Sequence, residues 1–244
     1  MFDKVKKFNE LIKSSNNIVF FGGAGVSTAS GIPDFRSPNG LYSKNYEGRD
    51  PEYLLSRTCF MKERELFFKF YKDKLDIRNI EPNITHKYLA KLEEMGKISA
   101  IITQNIDCLH QKAGSKKVHE LHGTVGKNYC LNCYKEYTPD DVFDSKELIP
   151  RCKICNAVIR PDVVLYEEPL DYITLGCASD DLYEADLVIV AGTSLNVHPA
   201  CDMVFRYKGK MVILNKEPTA LDHKAALVIR EPMEEVFSIL YQTL

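Results

Sequence analysis

Residues 17–36, NIVFFGGAGVSTASGIPDFR, decide how the rest of the chain is read. Asn17 to Phe21 is a short apolar run, and the glycine-rich turn Gly22-Gly23-Ala24-Gly25 follows at once. A strand buried on both faces needs such a run, because none of its positions meets water. Glycine after it lets the backbone turn tightly. A strand followed by Gly23-x-Gly25 is part of the dinucleotide fingerprint, in which glycine lets the backbone close on a pyrophosphate at a helix N-terminus. The third glycine of that fingerprint is Thr28 here, so the turn taken alone also fits a plain strand-to-helix connection.

Working outward, similar apolar runs recur at 100–103, 163–166, 187–191, 211–214 and 226–229. Helical patterns lie at 84–95, 199–207 and 232–243. Val5, Phe8, Leu11 and Ile12 give residues 3–14 an apolar stripe at helical spacing. Strands alternating with helices imply an α/β fold with a parallel sheet covered on both faces. Residues 60–78 read as a further long helix outside that alternation, and residues 125–160 break the rhythm with four cysteines and no long apolar run.

Ligands in open parallel sheets sit at the carboxyl ends of the strands. Three ends besides the glycine turn carry polar or small residues. The run at 187–191 leads into Gly192-Thr193-Ser194, and the run at 211–214 into Asn215-Lys216. The run at 100–103 opens into Gln104-Asn105-Ile106-Asp107-Cys108-Leu109-His110. One helix cap would account for Asn105 or Asp107 but not for the whole set. Next comes Val118-His-Glu-Leu-His122-Gly123. If this is a strand, His122 shares a face with Val118 and Glu120, and Gly123 ends it. Histidine is the usual general base near neutral pH, although a lone histidine is more often structural.

The chain has 244 residues and eight cysteines. Cys130-x2-Cys133 and Cys152-x2-Cys155 are separated by 18 residues, the spacing of a structural zinc site. Two cysteines three apart on a tight knuckle present both sulfurs to one metal, and two knuckles complete a tetrahedron. Four thiolates leave no open position, so such a zinc holds structure and does no chemistry. Two redox pairs are the alternative. Cys59, Cys108, Cys177 and Cys201 lack partner spacing and read as packing thiols. A net charge of −2 argues against non-specific nucleic-acid binding. No apolar run approaches the roughly 20 residues of a membrane helix. The N-terminal stretch has lysines but no apolar core of a signal peptide.

These motifs, taken in order, resemble one family. Residues 23–36, Thr103-Gln-Asn-Ile-Asp107, His122-Gly123, the cysteine quartet and Gly192-Thr-Ser194 occur in the sequence order of a sirtuin, over about residues 10–240. The resemblance implies an NAD-dependent protein lysine deacylase. It implies a Rossmann-like large domain, expected at 1–40, 84–124 and 160–244. A helical module with the cofactor loop is expected at 41–83, and a zinc-ribbon domain at 125–159. Carried over residue by residue, Ala24, Gly25 and Thr28 would line the NAD phosphate region. Asp34, Phe35 and Arg36 would lie in the cofactor loop, Phe35 over the reacting ribose. Gln104, Asn105, Ile106 and Asp107 would hold the nicotinamide side. Gly192, Thr193, Ser194, Asn215 and Lys216 would contact the adenosine half. His122 would be the general base, and Val163, Val164, Leu165, Tyr166 and Glu167 would clamp the peptide as an added strand.

In the implied reaction, the acyl-lysine oxygen displaces nicotinamide at the ribose, and His122 takes the proton of the ribose hydroxyl that attacks next. The products are free lysine, nicotinamide and O-acyl-ADP-ribose. The family usually has glycine at the position of Glu167, and the pair Glu167-Glu168 is either a selector for basic flanking residues or a solvated acidic loop. The branch that removes succinyl groups carries Tyr and Arg on the helix before the Pro-Asn segment. Ungapped alignment puts Phe68 and Tyr71 there, neither of which offers a guanidinium to a carboxylate. An apolar pocket for acetyl and longer fatty acyl groups is expected. Mono-ADP-ribosyl transfer at the same NAD site is the alternative activity. The expected partners are acyl-lysine proteins or peptides, with no specific nucleic acid and no membrane, for a cytoplasmic monomer.

Overall fold

The computed structural model describes residues 1–34, 40–41 and 45–244. Its strands are β1 (Ile18–Gly22), β2 (Ile98–Thr103), β3 (Val118–Glu120), β4 (Gly123–Cys130), β5 (Glu136–Tyr137), β6 (Ile159–Val163), β7 (Leu187–Ala191), β8 (Lys210–Leu214) and β9 (Leu227–Ile229). Six of them form a parallel sheet in the order β3-β2-β1-β7-β8-β9. Counted within that sheet this is the 3-2-1-4-5-6 order of the doubly wound dinucleotide fold, whose switch point falls between β1 and β7.

Side chains alternate across the sheet and meet helices on both sides. Phe20 and Ile189 join the helices Phe2–Ser14, Ile84–Glu94 and Met233–Tyr241 in one core, through Phe8, Leu89 and Phe237. Phe21 and Val190 join Tyr172–Glu184 and Asp202–Arg206 in another, through Leu182 and Val204. The helix Tyr172–Glu184 escapes the pattern of apolar spacing because only Ala178 and Leu182 are buried on it.

The remaining strands form an antiparallel ribbon, β5-β4-β6. Its core is shared with the helices Pro51–Leu54, Arg57–Lys62 and Arg64–Lys74: Phe60, Phe67, Phe68 and Tyr71 cluster with Tyr137, Val142 and Ile159. Arg78 binds this assembly from outside, donating to Asp76, Asp140 and Asp144 at 2.7–2.9 Å.

Three sequence expectations change. The single helix over 60–78 is two helices, broken at Glu63, whose backbone leaves the helical region and whose carboxylate accepts from Tyr53 and Arg49. The apolar run at 163–166 is no strand of the parallel sheet. β6 ends at Val163 in the ribbon, and Val164 to Tyr166 continue as a linker. β3 stops at Glu120, so His122 sits in the turn between the two sheets. Gly123, at φ 72°, starts β4 instead of ending β3. A side chain at Gly123 would place Cβ 2.1 Å from the Asp162 carbonyl oxygen, so only glycine lets β4 and β6 close there.

Candidate active site

The strand ends on either side of the switch point interlock through their glycines. Gly25 N donates to Gly192 O at 2.9 Å, and a Cβ on Gly25 would come within 2.7 Å of Gly192 Cα. Gly192 has φ 60°, and a Cβ there would lie 2.5 Å from Val26 N. Gln104 N donates to Gly22 O at 2.9 Å, and Thr193 Oγ1 donates to Gln104 Oε1 at 3.2 Å. The ends of β1, β2 and β7 are thereby fixed against one another. The Gln104 Nε2 atom is buried with no acceptor among the described residues. A buried donor without a partner is costly, and an oxygen-rich ligand such as NAD supplies the acceptor. The residues present therefore fit NAD across this switch point.

Asn105 and Asp107, both buried, meet on a residue that the sequence reading passed over. Ser27 Oγ donates to Asp107 Oδ2 at 2.6 Å and accepts from Asn105 Nδ2 at 3.0 Å. Asp107 Oδ1 accepts from Leu109 N at 2.9 Å. Burial raises the Asp107 carboxyl above its usual range, against the lowering effect of the Ser27 hydroxyl. Thr28, the expected contact, bonds back to Gly25 O and is exposed, so within this turn Ser27 is the inward-facing hydroxyl. Asn83 is a second omission: its Nδ2 donates to Val26 O at 2.8 Å and Ser30 Oγ at 3.0 Å, pinning the turn. The glycine turn is itself a visible signal for Ser27. Asn83 shows only a helix-cap signal, standing directly before Ile84–Glu94, because its partners in the turn lie more than fifty residues away in sequence.

His122 Nδ1 lies 2.8 Å from Gln104 O. A carbonyl oxygen only accepts, so Nδ1 carries the proton and Nε2 keeps its lone pair. Burial lowers the imidazole pKa, with the Gln104 hydrogen bond acting the other way. The ring is thus a neutral base in the tautomer that presents Nε2. Three residues on, the ribbon is tied to the same motif, since Val125 N donates to Ile106 O at 2.9 Å.

The segment Val163–Glu167 runs from the ribbon past His122 to the helical module. Val164 N donates to His122 O at 2.9 Å, and Tyr166 N to Leu55 O at 3.0 Å. Glu167 has φ 74°, a left-handed conformation, and its Oε2 accepts from Thr58 N at 2.9 Å and Thr58 Oγ1 at 2.7 Å. Glu168 forms a bidentate pair with Arg160, both contacts at 2.9 Å. Both carboxylates are occupied within the chain. Val163, Val164 and Glu167 border an open cleft of 930 Å³ with Gly123 and Arg160. Asn105, Asp107 and His122 are not among its lining residues, although Val164 of its wall donates to His122 O at 2.9 Å. Phe68 and Tyr71 lie fully buried in the aromatic core, onto which Ile106 and Cys108 also pack.

At the end of β8, Asn215 Nδ2 donates to Glu217 O at 2.8 Å. Ser194 and Lys216 are exposed, and Ala24 lies half-buried in the glycine turn. Asp34 O accepts from Leu41 N at 2.7 Å. The expectations for Phe35 and Arg36 lie outside the described residues.

The four ribbon cysteines converge, with all sulfurs within 4.8 Å of one another. Cys130 and Cys155 sulfurs are 3.4 Å apart, and those of Cys133 and Cys152 are 3.6 Å apart. A tetrahedron with Zn–S bonds of about 2.3 Å has sulfur edges of roughly 3.8 Å. The set fits a closed structural zinc ion.

Comparison with known proteins follows the same lines. The Sir2 family profile matches residues 23–199. The NAD-dependent protein deacetylase of Clostridium tetani is 49% identical over 99% of each chain. That of Clostridium perfringens is 52% identical, covering 97% of this chain and 98% of the relative. A solved Sir2 bound to a p53 peptide and NAD+ superposes with a TM-score of 0.87 at 41% identity over 98% of both chains. A Sir2 variant with deacetylated p53 peptide and 3′-O-acetyl-ADP-ribose gives 0.90 at the same identity and coverage. Similarity of this extent, in sequence and in fold, means that the chain belongs to the Sir2 family.

Proposed function

We propose that the protein removes acetyl groups from protein lysines at the expense of NAD, releasing nicotinamide and O-acetyl-ADP-ribose. The observation that carries this reading is the His122 tautomer. Nδ1 is committed to Gln104 O, and Nε2 is left as a base beside the polar strand ends. Bound NAD supplies a ribose carbon with a leaving group that the acyl oxygen can displace. The chain does the rest. Gly25, Gly192, Thr193 and Ser194 receive the phosphates and adenosine ribose, Asn215 adds a carboxamide oxygen, and Asn105 and Asp107, set by Ser27, hold the nicotinamide side. His122 Nε2 takes the proton of the ribose hydroxyl that attacks the acyl carbon. The Val163–Glu167 segment offers the peptide its backbone edge. The zinc holds the ribbon, and with it one wall of the cleft.

Bacterial relatives and thiolates that must stay reduced to hold zinc support a cytoplasmic setting. No described helix is long and apolar enough to cross a membrane.

The test follows nicotinamide release and free lysine with acetyl-, myristoyl- and succinyl-lysine peptides, with and without NAD. Acetyl-lysine is expected to turn over faster than succinyl-lysine. His122→Ala is expected to lose about 10²–10⁴-fold in turnover while NAD binding stays within a few-fold. Near wild-type turnover in that variant would remove the assignment.

A further inference from the structure

Beyond the NAD-facing loop at 192–197, the chain gathers three side chains for which the deacetylation chemistry has no use. His198, Cys201 and Asp202 converge at the start of the helix Asp202–Arg206. His198 Nδ1 lies 3.6 Å from Cys201 Sγ and 2.5 Å from Asp202 Oδ1. All three donor atoms fall within 4.8 Å of one another. The three lie on the turn that leads into this helix, where Cys201 N donates to Val197 O and Asp202 N to Pro199 O, each at 3.1 Å. An imidazole nitrogen, a thiolate and a carboxylate are together the donor set of a borderline transition metal.

We propose that His198, Cys201 and Asp202 bind a second Zn2+ ion, distinct from the one in the ribbon. A zinc with bonds of about 2.3 Å to sulfur and 2.0–2.1 Å to nitrogen holds the two donors roughly 3.6 Å apart at the tetrahedral angle. The His198–Cys201 separation already has that value. Nitrogen and carboxylate oxygen need about 3.3 Å, so Asp202 must swing outward by roughly 0.8 Å. Its side chain is 42% exposed and that of His198 59%, so the swing meets solvent. Cys201 forms the buried floor. On binding, the Cys201 thiol gives up its proton to solvent. The His198–Asp202 hydrogen bond opens, and the imidazole proton passes from Nδ1 to Nε2.

Three protein ligands leave a fourth position to water, unlike the four-sulfur site in the ribbon. The ribbon zinc is closed and slow to exchange, whereas this ion enters from the surface and leaves again. It would pin the far end of the loop that begins at Gly192.

The test uses the full chain with its ribbon zinc in place. After equilibration with micromolar free Zn2+ and removal of excess, metal analysis is expected to give about two zinc per wild-type chain. Cys201→Ser and His198→Gln are each expected to give about one. Titration of zinc-replete protein with Co2+ is expected to raise a thiolate-to-cobalt charge-transfer band that Cys201→Ser abolishes. His198 is exposed, so His198→Gln decides the matter even where Cys201→Ser folds poorly. One zinc per wild-type chain, or a second ion retained by His198→Gln, would overturn the proposal.

Discussion

Against the parallel sheet, in which β1 and β7 are buried at every residue, the ribbon sets strands of two, five and eight residues whose outer positions face solvent. The sheet draws on two apolar cores, one per face, and its helices arrive with the chain. The ribbon has a single core, borrows most of its aromatic residues from the helical segment, and gathers four sulfurs at one end. A small unit with few apolar residues of its own needs such a staple, and a large one does not. The groups proposed for the chemistry lie where the two meet: Asn105 and Asp107 on the rigid side and His122 in the connecting turn, with Val164 of the ribbon side bonded to it.

The largest expected effect separates the two regions outright. Structural zinc contributes on the order of 10 kcal/mol to the folding of small zinc modules. Chelation is therefore expected to abolish amide-exchange protection across residues 123–163 while β1 and β7 stay protected. A ribbon still protected without metal would break the comparison.

Acid attacks the other side. His86 and His110 lie buried against each other, ring centroids 4.7 Å apart, and His110 also meets Phe20 at 5.9 Å. Burial holds His86 down to about 4 and His110 well below its usual value, His86 adding to the latter. The unfolded chain protonates both near pH 6.5, whereas the folded chain keeps them neutral. Stability is therefore complete above pH 6.5 and falls as the pH drops toward 4. Between pH 7.5 and 5.5 the pair is expected to cost about 3 kcal/mol. Urea midpoints at the two pH values measure it, with bound zinc assayed in parallel so that metal loss is recognised. A flat profile would show that the buried pair takes up no strain from acid.

The smallest effect concerns the seam. Glu167 occupies a left-handed position that costs a non-glycine residue about 1–2 kcal/mol, and its carboxylate ties the linker to Thr58. Glu167→Gly is expected to leave stability within about 1 kcal/mol, because relieved strain offsets the lost hydrogen bonds. If the linker presents an edge to the peptide, the peptide KM rises several-fold while kcat holds. An unchanged KM would assign Glu167 to packing alone.

Much of the large domain was legible before any coordinates. The runs at 187–191 and 211–214 became β7 and β8, and the patterns at 84–95 and 232–243 became helices, because two-sided burial and apolar stripes write themselves into local spacing. The helix Tyr172–Glu184 stayed hidden because it buries only two small or apolar side chains, and the break at Glu63 because its cause, Tyr53 and Arg49, is tertiary. Two polar contributors to the proposed site, Ser27 and Asn83, were also passed over, Ser27 despite the glycine turn that contains it. The parallel pairing of β1 and β2 brings Asp107 to Ser27, and packing of the helix Ile84–Glu94 brings Asn83 to Val26, so neither partner is a neighbour in sequence.

The sequence by itself determined the family, the parallel sheet and the cysteine quartet, and it singled out the histidine proposed as the base, since each rests on residue type at fixed spacing. The tertiary structure decided which nitrogen of His122 carries the proton, which hydroxyl of the glycine turn faces inward, and that His198, Cys201 and Asp202 converge. It also decided that Glu167 and Glu168 are already engaged. Those outcomes depend on distances between particular atoms, several of them far apart along the chain, and only the folded backbone fixes such distances.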